Sequence, residues 1–151
     1  MTALAALQAR EAYILGLAAR GGQVLYDPVD LTDAEPEISV RVKAPGGLAG
    51  HTASFRYSET YRPTRTGLKL IEYAYGFWSQ TGLGSFEYHW HPFAWSSRQS
   101  IFHSHCAGPG QPRGHFRAHG MTLEEARDAF RLVYGAERGV DCSRLYPLDA
   151  A

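Results

Sequence analysis

Apolar side chains recur at helical spacing through residues 3 to 20, with Leu4, Leu7, Ile14 and Leu17 among them, and Gly21-Gly22 supplies a stop. This pattern predicts an N-terminal helix. Alternation follows. "QVLYD", ahead of Pro28, reads as a short strand, and "EISVRV" sets Ile38, Val40 and Val42 against Ser39, Arg41 and Lys43, as in a half-buried strand. "APGGLAG" reads as a loop, and "ASFRYSETYRPTRTG" starts as a strand that loses regularity at Pro63. The run "LKLIEYAYGFW", then "SQTGLG", then "SFEYHWHPF" predicts an antiparallel hairpin with a glycine-containing connection. "RQSIFHSHCA" is a further strand, ended by the glycine-proline punctuation of "GPGQPRG".

"MTLEEARDAFRLVYG" predicts a second helix with a defined start. Thr122 at the N-cap and Glu125 at N3 form a reciprocal capping pair, Glu124 adds negative charge near the positive helix end, and Arg131 lies toward the other end. Leu123, Ala126, Phe130 and Val133 form its apolar stripe. There is no internal repeat. Together the elements predict an α+β fold: an antiparallel sheet of about five strands with an N-terminal and a C-terminal helix packed on it.

A chain of 151 residues with 44% apolar content supports one domain, 1–151, with its own core. Lys plus Arg equals Asp plus Glu at 15 each, so no global charge draws the protein to nucleic acid or membrane. No run approaches the roughly 20 apolar residues of a spanning helix, and the apolar start carries charges unlike a secretory signal. A cytoplasmic protein without a membrane partner is expected. Two cysteines, Cys106 and Cys142, in a chain well supplied with apolar residues predict reduced thiols rather than a disulfide scaffold.

Candidate chemistry concentrates in residues 86 to 107, which hold four of the seven histidines. Strand alternation points Glu87, His89 and His91 one way and Phe86, Tyr88 and Trp90 the other. The same rule joins His103 and His105, with Phe102, Ser104 and Cys106 opposite. With residues 92 to 98 as a hairpin connection, His91 would pair with His103 and His89 with His105, their β-carbons about 4.5 to 5.5 Å apart.

Three uses of such a patch stand open. Histidines on a half-exposed sheet can cover apolar surface and bond to water. Alternatively His89, His91, His103 and His105 can ligate zinc, with Glu87 or Cys106 as spare ligands, although alternation puts Cys106 on the wrong face. In the third, one histidine is a base and another an acid, suited by an imidazole pKa near ~6.5. On RNA, one would take the 2′-hydroxyl proton and another protonate the leaving 5′-oxygen, with an arginine stabilising the phosphate and no cofactor required. Arg98, Arg113 and Arg117 can serve, and "AGPGQPRGHFRAHG" reads as a loop that can set Arg113, His115 and His119 around a ligand.

The order of "IEYAYGFWSQTGLGSFEYHWHP", then "IFHSHCA", then "MTLEEARDAF" resembles the TumE family of bacterial toxin-antitoxin toxins over roughly residues 68 to 135. Those are small α+β proteins in which an arginine-tyrosine-aspartate strand leads to histidines, followed by a second histidine cluster and a helix. Here Glu87-Tyr88-His89 stands where that family shows arginine, tyrosine and aspartate. The resemblance implies a toxin restrained by a separately encoded antitoxin, with His91, His103 and His105 lining a site that acts on RNA. "IFHSHC" is also similar to the His-Ser-His-Pro segment of JAB-type zinc isopeptidases. That likeness implies a zinc-dependent hydrolase using His103 and His105. Cysteine replaces the proline, and no serine-x-x-aspartate follows.

A non-catalytic module whose aromatic sheet pairs with another chain is the remaining class. Its exposed edge would lie near residues 38 to 43, where Arg41 and Lys43 are also the usual protection against such pairing.

Overall fold

A computed structural model of the chain describes residues 2–48, 51–91, 102–135, 138–143 and 145. Helix α1 (Ala3–Ala19) is followed by strands β1 (Gln23–Tyr26), β2 (Glu37–Leu48), β3 (His51–Thr64), β4 (Gly67–Ser79), β5 (Ser85–Trp90), β6 (Phe102–Ala107) and β7 (Gly114–Arg117). Helix α2 (Leu123–Val133) and a two-stranded ribbon, β8 (Tyr134–Gly135) with β9 (Gly139–Val140), complete the order. The α+β class and the two helices agree with the sequence; the sheet is larger than expected. Among the described residues it has seven strands in sequential antiparallel order, β1 to β7.

The added strands have identifiable causes. β7 falls in "GHFR", which glycine and proline on both sides disguise as loop. β2 continues through part of "APGGLAG" to Leu48, with an irregular register between Ala44 and Leu48. β3 likewise runs past Pro63 to Thr64. The irregularity sits opposite: Thr60 pairs with Glu72 and Tyr61 with Leu70, so Ile71 is the extra residue of a bulge. Because β1 pairs with β2, residues 38 to 43 are an interior strand; β1 and β7 are the edges.

One sheet face carries Ile38, Val40, Val42, Tyr57, Tyr73, Tyr75, Phe77 and Phe86, and both helices close over it. From α1, Leu7, Ile14 and Ala18 are buried, whereas Leu4 is exposed. From α2, Leu123, Ala126 and Phe130 are buried and Val133 partly so. The Glu125 N–H donates to Thr122 Oγ1 at 3.1 Å and the Thr122 hydroxyl donates to Glu125 Oε1 at 3.2 Å, a cap that fixes where α2 begins. Phe130 meets Phe77 edge-on with ring centroids 5.1 Å apart.

α1 is also clamped by charge. Arg10 donates from Nε and Nη2 to the two oxygens of Glu59, each at 2.7 Å, and the Tyr61 and Tyr75 hydroxyls donate to the same carboxylate at 2.5 Å. Burial pushes the Glu59 carboxyl up, but these four donors outweigh it and hold it below the ordinary carboxylate value. Glu59 is fully buried and fully paired, the condition under which a core tolerates a carboxylate.

The cysteines depart from expectation. Cys106 on β6 and Cys142 after β9 are joined in a disulfide, their Cα atoms 6.0 Å apart. The β9 segment lies against the end of the β4–β5 hairpin, where the Val140 N–H donates to the Leu83 carbonyl at 2.8 Å, and this carries Cys142 beside β6. Only the fold brings together residues 36 positions apart. Disulfides persist mainly in oxidising compartments, so the bond removes the support that reduced thiols gave to a cytoplasmic setting. No helix among the described residues is long and apolar enough to cross a membrane.

Candidate functional site

Both helices pack on one face, and the chemistry lies on the other. There β5 presents Glu87 and His89, with His91 directly after it, β6 presents His103 and His105, and β7 adds His115 and Arg117. The observed register pairs His89 with His103 and Glu87 with His105. This corrects the expected pairing of His91 with His103 and His89 with His105 by two residues. A two-residue shift preserves the face, so the four imidazoles still meet. The His89 ring lies 5.4 Å from His103 and 4.5 Å from His105 by centroids, and the His115 ring is 4.5 Å from His105.

Hydrogen bonds arrange the rings in a chain. Glu87 Oε1 contacts His89 Nε2; His89 Nδ1 lies 3.1 Å from His91 Nε2; His91 Nδ1 lies 2.8 Å from Glu72 Oε1. A second pair, His103 Nε2 and His105 Nε2, is 3.1 Å apart. Proton counting limits what occupies this chain. Three hydrogen bonds need three protons, and two neutral imidazoles bring one each. The imidazole–imidazole contact therefore requires a further proton or another cation between the rings.

A cation fits the geometry. One ring nitrogen from each of His89, His91 and His103 lies within 4.8 Å of the others, and Glu87, His89 and His105 form a second such group. Two nitrogens bound tetrahedrally to one zinc at ~2.0–2.1 Å sit about 3.3 Å apart. The 3.1 Å separation of His89 from His91 is close to that edge. Burial and the neighbouring His89, Arg113, His103 and His115 push His105 down to about 3, leaving it a neutral ring with an available lone pair.

Several supporting residues lie outside the sequence-based set. Glu72, on β4, orients His91, and its phase with Ala74 and Gly76 was the available signal. Gly76 pairs with Glu87 and leaves the room in which that carboxylate lies. Arg56 on β3 pairs with Gly76 from the other side. A cavity of about 180 Å³ beside the cluster is lined by Arg56, Ser58, Thr60, Glu72, His89 and His91. Among the described residues, Arg56 Nε and Glu87 Oε2 are buried without a hydrogen-bond partner.

Of the other candidates, Arg113 is exposed beside β7 and acts on His105 through its charge. Cys106 faces the core in its disulfide and is no ligand. Among the described residues, His119 is outside the set of ring contacts that joins the other five histidines of this face. Arg98 and the connection at 92 to 98 lie outside the described residues. Comparison with protein-family models, with curated proteins and with solved structures finds no match.

Proposed function

We propose that the histidine face is a metal-dependent hydrolytic centre in which His89, His91 and His103 hold one ion of the zinc class and leave a fourth position for water. The observation that carries this reading is the convergence of three ring nitrogens while the outer nitrogens of His89 and His91 rest on Glu87 and Glu72. Metal-ligating imidazoles are commonly backed by a carboxylate, which fixes the tautomer and raises basicity. An ion of this class with an open position supplies a water of lowered pKa and polarises a substrate oxygen. Glu87 sits behind His89, on the side of the ring away from the ion, and acts by orienting that ligand. Arg56, whose side chain lines the adjoining cavity together with Glu37 and Glu72, is the cation available there for an anionic group of the substrate.

A second reading has its own support. Arg117 stands opposite His103 on β7, and His115 opposite His105, and this register supports a reading in which an imidazole acid–base pair beside an arginine serves metal-free RNA cleavage. A toxin role with a cognate antitoxin rests on the layout of residues 68 to 135 and is proposed on that resemblance alone.

Chelator-treated protein, with and without added zinc, tests the choice on bis(4-nitrophenyl) phosphate and a short RNA. Hydrolysis that needs the ion and disappears in His103→Ala supports the metal centre. Equal cleavage with and without the ion contradicts it and favours the imidazole pair.

A further inference from the structure

A separate cavity of about 310 Å³ lies on the opposite side of the sheet from the histidines, between α1, α2 and strands β2 and β3. Leu17, Val42, Phe55 and Phe130 give it an apolar floor. Its cations are Arg20, at the end of α1, with Arg127 and Arg131 of α2; among the described residues no carboxylate lines it. Among the described residues none of these three arginines takes part in an ion pair, whereas Arg10 and Arg62 do. The Tyr57 hydroxyl, buried in the same wall, has the Arg127 guanidinium beside it.

The helix dipole accounts for a basic residue in the last turn of α2. It does not by itself require that arginines from two helices, Arg20 with Arg127 and Arg131, line one apolar recess. Such a recess favours a ligand that is greasy at one end and negative at the other, because the hydrocarbon leaves water for the floor while guanidinium forks pair with an oxyanion. Its volume is at the small end of the ~300–1,000 Å³ of ligand pockets, which limits the hydrocarbon to a medium-length chain. We propose that this cavity binds a single-tailed amphiphile with an anionic head, a carboxylate or a phosphate on a medium alkyl chain.

The test uses the whole protein and four probes of equal chain length: octanoate, octyl phosphate, octanol and octyltrimethylammonium, titrated by calorimetry below their micelle concentrations. Saturable binding of one or both anions, with amide NMR shifts around Tyr57 and Phe130 and none at the histidines, is expected; which anion binds identifies the head group. Arg127→Gln with Arg131→Gln should weaken that binding by at least about tenfold, equivalent to ~1.4 kcal/mol. Failure of both anions to bind, equal binding of octanol or the ammonium probe, shifts elsewhere, or a smaller loss in the double variant overturns the proposal. The four-probe comparison on the unaltered chain stands even if the variant does not fold.

Discussion

The Glu87 side chain lies against the backbone of Gly76, its partner across the β4–β5 ladder. A β-carbon at position 76 would come 2.7 Å from Glu87 Cγ and 2.8 Å from its Cβ, closer than real contacts allow. The missing side chain is what lets Glu87 lie flat and reach His89. Gly76→Ala should therefore push Glu87 off His89 while the sheet persists. Zinc affinity should fall by roughly 10- to 100-fold, the usual loss when a carboxylate behind a histidine ligand is removed, with the far-ultraviolet circular dichroism unchanged. Unaltered zinc affinity would show that the Glu87–His89 contact does not matter to the site.

Glu72 offers the same test without a packing change. Its side chain is 44% exposed, so Glu72→Gln should shift stability by no more than about 0.5 kcal/mol. Its bond to His91 Nδ1 is what fixes that ring. Zinc titration of the variant should again show a loss of roughly 10- to 100-fold. An effect on melting without an effect on zinc would assign Glu72 a structural role.

The Arg10–Glu59 clamp makes a prediction about pH. In the native chain the folded-state pKa of Glu59 lies below its unfolded value, so its contribution is present above ~4.3 and is lost as pH falls through the folded value. Arg10→Met leaves a fully buried carboxylate facing two tyrosines, which raises that pKa and reverses the sign. The variant should lose roughly 3 kcal/mol at pH 7, at the low end for a broken buried pair, since 28% of the Arg10 side chain stays exposed. Urea melts at stepped pH should show the difference between the two proteins shrinking as pH falls through the variant's raised value and closing only below the native protein's lowered one. A constant difference would mean Glu59 is not the group responsible.

The Cys106–Cys142 bond closes a separation of 36 residues, for which loop-closure entropy gives about 4 kcal/mol. Cys142→Ser, or the native chain under dithiothreitol, should unfold at a correspondingly lower urea concentration. Coincident transitions with and without reductant would argue that the bond contributes little.

The sequence made the histidine face legible because alternation is local. Two H-x-H pairs and Glu87 share strand phase whatever their register. Register is different, since the turn sets it: the ladder centres on position 96, from (89 + 103)/2, rather than on 97. Glu72 went unread because its role depends on β4 lying beside β5, and β7 because "GHFR" is too short for its pattern to outweigh flanking glycine and proline. The Arg10–Glu59 clamp joins residues 49 positions apart, and the disulfide depends on a C-terminal segment folding back over the hairpin. No local pattern encodes either contact. The caps and stripe of α2 are purely local and match the sequence reading residue for residue apart from the partial exposure of Val133.

Metal content of the untagged protein tests the central claim most directly. After chelator treatment, reloading with zinc and exhaustive dialysis, elemental analysis should find about one ion per chain in the native protein and a lost or sharply reduced content in His89→Ala, His91→Ala and His103→Ala, each still folded. A folded native chain that retains no ion after the same loading would contradict the metal centre and leave the proton shared between His89 and His91 as the cation that the cluster holds.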